Sequence, residues 1–248
     1  WLGLPHASRP MSDMLVYAGQ LNDQYGDIVR FRVGPARMFL LRHPEAIQEV
    51  LLRKVDSFIR ERMVQMLFRP WLGQGILLSD GQRWKQQRVP IQTAWHQLDP
   101  QLSVSAAIRH TQRLLLSRAD STFDFAETCE RLAFSIVFET ALGPADHALI
   151  DEMFEAATVL QDAGIARLSS FFESPYWVPN ASNRRMRRAL KTMRALLQKQ
   201  VEHAADEGKS KFASLLLGAE ERGELSRTAV LDGLANLVFG GKETAGAS

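Results

Sequence analysis

Apolar and polar positions change rhythm along this chain. Ile28, Phe31 and Val33 form one strand-like run and Met38 to Leu41 another, with Gly34-Pro35 between them. Glycine and proline punctuate turns, so the pattern predicts a β-hairpin. Before it, Met11 to Tyr25 reads as a helix closed by Gly26. After it, "HPEAIQEVLLR" predicts a helix with Pro44 at its first position and Glu45 in its first turn. Arg60 to Leu78 is less regular and contains Gly73 and Gly75, which fits a short helix and a loop. From Ser79 onward the spacing is helical, with breaks at Asp99-Pro100, Gly143-Pro144, Pro175 to Pro179 and Gly208. There is no internal repeat and no clear linker. The expected architecture is mainly α with a small N-terminal β-hairpin, in a single domain spanning residues 1–248.

The last predicted helix has the strongest signal. Ser226 is a good N-cap, because its hydroxyl can accept from a free backbone N–H. Leu225 and Val230 occupy the hydrophobic-staple positions around it. The stretch "AVLDGLANLVFGG" is apolar on almost every face, the mark of a central, buried helix. Yet it runs into "FGGKETAGAS", which sets an acid, Glu243, beside an alcohol, Thr244.

Composition narrows the function classes. Hydrophobic residues make up 46% and charged residues 23% of the chain, which excludes disorder as a global description. A net charge of +2 does not by itself argue for a nucleic-acid partner. The single cysteine, Cys129, rules out an internal disulfide framework and a multi-cysteine metal site. It also suits a reducing compartment. No run of eighteen apolar residues suggests a transmembrane helix. A soluble, cytoplasmic protein is the expectation. The first residue is Trp1 and no signal-peptide pattern follows, so both ends read as cut.

Two stretches offer chemistry. In "SDGQRWKQQRVPIQTAW", Ser79 and Gln82 fit a capping box that would open a helix. Trp84 and Arg88 are four residues apart and share a face of that helix. Together they offer an indole N–H and a guanidinium to an anion, or simply a cation–π contact. Pro90 should bend the same helix. In the C-terminal stretch, Gly240 and Gly241 let a flat or bulky group approach the backbone. The Thr244 hydroxyl can bond back to the carbonyl of Gly240. Glu243 can pass protons, whereas Lys242 can either pair with it or point away. The plain alternative is a helix that ends at glycines.

The capped helix with Trp-x-x-x-Arg, preceded by "LGQGILLSDGQRW", resembles the C-helix region of the cytochrome P-450 family. The buried helix with Gly-Gly-x-Glu-Thr resembles that family's I-helix, and the order of elements matches over essentially the whole chain. The resemblance implies a heme-dependent monooxygenase that inserts one oxygen atom from O2 into an apolar organic substrate. It also implies electrons from a partner such as a ferredoxin or a reductase. By position, Trp84 and Arg88 match donors to a heme propionate, and Arg60 in "SFIRERM" matches a further basic partner. Gly240 and Gly241 match the I-helix face over the heme, and Glu243 and Thr244 the acid–alcohol pair that manages protons. Ala245 stands where many members carry another hydroxyl. The family's Glu-x-x-Arg helix and heme-ligating cysteine loop lie beyond Ser248. On this expectation the chain alone cannot complete the heme site, and no metal ligand is assigned within it. Glu224-Leu225-Ser226-Arg227 spans a cap and is no substitute.

Other features fit less specific roles. Cys129 lies in a helix with Phe134, Val137 and Phe138 on its inner side, so a buried structural thiol is expected. Asn180 to His203 holds seven Arg or Lys residues against one acid, Glu202. With Met186, Leu190, Met193 and Leu197 at helical spacing, this reads as the solvated face of an amphipathic helix more than as a nucleic-acid or membrane surface. The aromatic "FFESPYW" corresponds in the family to a lid over the substrate channel. Arg83, Lys85 and Arg88 form a basic surface that suits an acidic electron-transfer partner, or solubility alone. The histidines show no metal-binding spacing, and there is no phosphate loop. Besides the monooxygenase, two readings stay open: a truncated, heme-free helical remnant with only a binding role, and a basic helical module for nucleic acid.

Overall fold

A computed structural model of the chain describes residues 11–33, 36–118, 122–169, 175–206 and 208–246. The chain forms two compact units, residues 1–59 and 60–248. The expected turn at Gly34-Pro35, and Phe171 and Phe172 of the aromatic cluster, lie outside the described residues.

The first unit holds helix α1 (Met11–Tyr25), strands β1 (Ile28–Val33) and β2 (Ala36–Leu41), and helix α2 (Pro44–Gln48). The strands pair antiparallel with Ile28 opposite Leu41 and Phe31 opposite Met38, so the predicted hairpin is present. Gly26 closes α1 at a positive φ of 95°. Arg42, just after β2, binds Asp23 of α1 at 2.6 Å and Asp27 at 2.9 Å. His43 caps α2, and Pro44 opens it as expected. The helical path then continues in wider π turns from Glu49 to Arg53.

The second unit is a helical assembly. It comprises α3 (Arg62–Leu72), α4 (Gly81–His96), α5 (Pro100–Arg118), α6 (Phe125–Leu142), α7 (His147–Ser169), α8 (Ala181–Asp206), α9 (Lys211–Glu221) and α10 (Arg227–Gly246). Each break follows local chemistry. Asp124 accepts from the N–H of Glu127 to open α6, and Gly143 ends it at a positive φ of 77°. Ser210 caps α9 and also donates to the carbonyl of Ala141, which ties the start of α9 to the end of α6. Gln200 of α8 donates to the carbonyls of Leu142 and Pro144 at 3.0 and 3.1 Å. The carbonyls at and just past the end of α6 thus find donors from Gln200 of α8 and from Ser210, the cap of α9.

The core gathers around α6, α7, α8 and α10, with Phe134, Phe138, Leu160, Leu197, Val230 and Leu234 fully buried. Trp71 of α3 packs edge-on against Phe239 of α10 at 4.3 Å between ring centres. The amphipathic reading of α8 holds. Met186, Met193 and Leu197 are buried, while Arg184, Arg185, Arg187, Arg188, Lys191, Arg194 and Lys199 are exposed. The expectation for Cys129 needs correction, because the thiol is only half-buried. It stands five residues before Phe134, about 140° around the helix from that core-facing ring. Among the described residues no helix is long and apolar enough to cross a membrane. Nor do any three His, Cys, Asp or Glu residues there form a group suited to a metal ion.

Candidate functional site

Helix α10 begins as its sequence predicts. The Ser226 hydroxyl accepts from the N–H of Ala229 at 3.2 Å. Leu225 and Val230 flank it and are buried. Its apolar run also contains two buried polar residues, and both reach a loop of α3 and α4. Asp232 accepts from the N–H of Gln74 at 2.8 Å. Asn236 accepts from the N–H of Leu77 at 3.0 Å and donates to the carbonyl of Leu72 at 2.9 Å. Gly73 and Gly75 make this approach possible. A Cβ at Gly73 would lie 2.0 Å from the Asp232 carboxylate, and one at Gly75 would lie 2.3 Å from the Asn236 amide. Burial pushes the Asp232 carboxyl above the usual aspartate range, and the Gln74 N–H and the charge of Arg194 pull it partly back.

The two glycines near the end of α10 have different neighbours. A Cβ at Gly241 would sit 2.7 Å from both methyls of Val137, so Gly241 lets α10 close on α6. Among the described residues, a Cβ at Gly240 would meet no atom within 4 Å outside its own stretch of helix. Lys242, which the sequence allowed to turn either way, points into the protein. Its side chain is 3% exposed, and its ammonium donates to Glu130 of α6 at 3.0 Å and to Gln161 of α7. The Phe154 ring of α7 lies 5.1 Å from the same nitrogen. Glu243 and Thr244 continue the helix, but their side chains lie outside the described residues. By position, Thr244 stands one turn beyond Gly240.

Helix α4 starts differently from its prediction. The capping box of Ser79 and Gln82 is not formed: Asp80 is the N-cap, and its side chain does not cap. The Asp80 carboxylate instead accepts from the Arg60 N–H and the Gln65 amide, both at 3.0 Å. Ser79 is buried, and its hydroxyl has no hydrogen-bond partner among the described residues. The predicted Trp84–Arg88 pair is present, with the guanidinium 4.9 Å from the indole centre. Arg88 is exposed and Trp84 half-buried. Beyond the ring contact, the guanidinium meets no hydrogen-bond acceptor among the described residues. The Arg60 side chain donates to the Ser79 carbonyl at 3.1 Å.

Helical phase relates these faces. Trp84, Arg88 and Ile91 follow i, i+4, i+7 spacing and share one side of α4. Ile91 is the side chain that a Cβ at Gly233 of α10 would meet, at 3.2 Å. Gly233 and Gly240 are seven residues apart and share a side of α10. The open side of α10 is thus the side that meets α4, and the Trp84–Arg88 side of α4 is the side that meets α10. Lys242 lies about 160° around α10 from Gly240, which directs it toward α6 and α7.

Comparison with known proteins decides what this arrangement belongs to. The family model "Cytochrome P450" matches residues 4–247. The chain belongs to the cytochrome P450 family. Among relatives, the cyclooctat-9-en-7-ol 5-monooxygenase of Streptomyces melanosporofaciens is 28% identical over 236 residues, covering 89% of this chain and 49% of that protein. Human cytochrome P450 4F3 is 31% identical over 133 residues, covering 51% of this chain and 25% of that protein. A zebrafish cytochrome P450 structure, described with progesterone, superposes with a TM-score of 0.69 at 18% identity, covering 98% of this chain and 57% of that one. The P450 chain therefore spans about half the length of relatives it matches along most of its residues. The mainly helical fold with its small β-hairpin is the one the resemblance implied.

Some residues that shape the site escaped the sequence reading. Asp232 and Asn236 sit in a run read only as apolar, and their partners lie 158 and 159 residues away in the chain. The signal available was a pair of polar residues four apart, on one face of a helix otherwise too apolar to be solvated.

Proposed function

We propose that the complete protein is a heme-dependent monooxygenase, inserting one oxygen atom from O2 into an apolar organic substrate. One observation carries this reading. Gly233, which shares a side of α10 with Gly240, meets Ile91 of α4, and Ile91 shares a side of α4 with Trp84 and Arg88. The residues present fit a heme. Gly240 leaves room for a flat macrocycle against the backbone. Arg88 keeps unused donors for a propionate. Bound heme would supply the iron that activates dioxygen, ligated by a cysteine thiolate in this family.

The chain's own residues then divide the work. Arg88 and Trp84 hold the propionate edge, and Arg60 is a subsidiary cation because it already serves Asp80 and Ser79. Gly240 admits the macrocycle, whereas Gly241 sets the distance to α6. Glu243 and Thr244 hold and pass protons beside the reacting centre. The apolar body of α10 keeps water away from it. Trp177, 78% exposed, and Tyr176, whose hydroxyl donates to the carbonyl of Leu67, suit a lid over an apolar substrate. Similarity to a named monooxygenase supports this activity. The exposed basic residues of α4 suit an acidic electron donor of the ferredoxin or reductase class.

The test is made on the full-length protein. It should take up heme in equimolar amount and place oxygen-18 from labelled O2 into an apolar substrate when supplied with electrons. A full-length protein that binds no heme, or whose product takes its oxygen only from water, would overturn the reading.

A further inference from the structure

Lys242 is a charge in a stretch of α10 that otherwise has no polar side chain: every residue from Leu237 to Gly241 is apolar or glycine. Burying an ammonium costs free energy unless its donors are met. Here groups from two helices meet them. The Glu130 carboxylate of α6 accepts at 3.0 Å, and the Gln161 side-chain oxygen of α7 accepts as well. The face of the Phe154 ring, also on α7, offers a third contact, with its centre 5.1 Å away.

Its place in the helix gives this anchor a use. Gly240 and Gly241 precede Lys242 directly. Each glycine weakens a helix by roughly 1 kcal/mol against alanine. Glu243 and Thr244 follow directly. The segment assigned to proton handling therefore starts at a locally weak point of α10. Gly241 fits against Val137 but brings no bond across the interface. Among the described side chains of this segment, Lys242 is the one that hydrogen-bonds to other helices.

Helical phase then relates the anchor to the site. Gly240 and Thr244 are four residues apart, about 40° from each other around α10. Lys242 stands two residues from each, about 160° away from both. The contacts to α6 and α7 thus hold the back of the helix, and the face carrying Gly240 and Thr244 is its front. Fixing the back of a rigid helix sets the bearing of its front.

We infer that Lys242 is a positioning residue for the oxygenase chemistry. Held by Glu130 and Gln161, it fixes the bearing of the last turns of α10, and with it the places of Glu243 and Thr244. The inference rests on the monooxygenase reading. Lys242 is not itself a catalytic residue, because it lies on the far side of the helix from the face assigned to heme.

Three variants of the full-length protein test this. Lys242→Met keeps the stem and removes the ammonium. Gln161→Leu removes one of its acceptors, whereas Gln161→Glu keeps one. The first readout is independent of activity: backbone amide hydrogen exchange. In Lys242→Met the amides of residues 240–246 should exchange about tenfold or more faster, and those of residues 230–238 should change by less than about twofold. The second readout is product formed per electron pair, compared at equal heme content. It should fall about threefold or more in Lys242→Met, with substrate affinity held within about twofold. Gln161→Leu should move the same way, and Gln161→Glu should stay nearer the wild type. A lysine that merely supports the fold would lower stability or heme content and leave product per electron pair unchanged. Unaltered exchange at residues 240–246, or equal acceleration along all of α10, would overturn the inference. A coupled wild type with an equally coupled Lys242→Met would overturn this inference alone. A wild type that binds no heme would overturn the monooxygenase reading and the inference with it.

Discussion

Lys242 and Glu130 form an ion pair at 3.0 Å between α10 and α6, with the lysine side chain 3% exposed and the glutamate 37% exposed. The cation is the desolvated partner, so the pair is asymmetric. Together with Gln161 and Phe154 it fixes the rotation of α10 about its axis. That rotation sets Gly240 on the side of α10 that carries Gly233, which meets Ile91 of α4.

The asymmetry predicts unequal effects of neutralising each partner. Glu130→Gln leaves a buried ammonium short of its counter-charge and should destabilise by about 1–3 kcal/mol. Lys242→Met removes the charge that needs a partner and keeps an apolar stem in place, so its loss should be smaller. Denaturant titration of both variants checks the order, and a larger loss for Lys242→Met would contradict it.

Gly240 and Gly241 should respond oppositely to alanine. Gly241→Ala forces a methyl against Val137 and should destabilise by about 1–3 kcal/mol, with Val137→Ala recovering part of the loss. Gly240→Ala meets no atom among the described residues outside its own helix and should stabilise that helix by up to about 1 kcal/mol. In the complete protein the same Gly240→Ala change should lower heme uptake, because the methyl enters the space assigned to the macrocycle. Thermal denaturation and heme content, measured side by side, separate the two effects.

The raised Asp232 carboxyl makes stability depend on pH. A folded state that holds its proton to higher pH than the unfolded chain loses stability as pH rises from about 4, the unfolded value, through the raised value. Above that interval the contribution is level. Asp232→Asn keeps an oxygen for the Gln74 N–H and should flatten this part of the profile. Denaturation midpoints across mildly acid pH give the answer, and parallel profiles for the two proteins would refute it.

Heme retention should depend on Arg88 more than on Arg60. Arg88 has unused donors, whereas Arg60 is engaged with Ser79 and Asp80. Arg88→Ala in the full-length protein should therefore bind heme more weakly than Arg60→Ala. Thr244→Ala should leave heme content unchanged but reduce the product formed per electron pair consumed. Heme titration and a coupling assay read the two effects separately.

Local chemistry was legible in the sequence wherever a feature is satisfied by near neighbours. The Ser226 cap, the closing Gly26, Pro44 at the start of α2 and the Trp84–Arg88 pair all lie within a few residues of their partners. The capping box at Ser79 failed because the helix starts one residue later, with Asp80 as N-cap, and Arg60 and Gln65, fifteen to twenty residues earlier, hold the Asp80 carboxylate. Lys242 stayed ambiguous because its counter-charge is 112 residues away. The Gly-Gly pair read as one feature, although adjacent helical residues point about 100° apart and meet different neighbours.

Asp232, Asn236 and Gln87 hold the loop after α3 through backbone atoms of Leu72, Gln74 and Leu77. The grip thus reads the course of the main chain and is indifferent to most of its lettering. Only Gly73 and Gly75 are dictated, by lack of room. Beside the fixed glycines, the side chains of Gln74, Ile76 and Leu77 form a short alphabet that mutation can rewrite while the loop stays where it is.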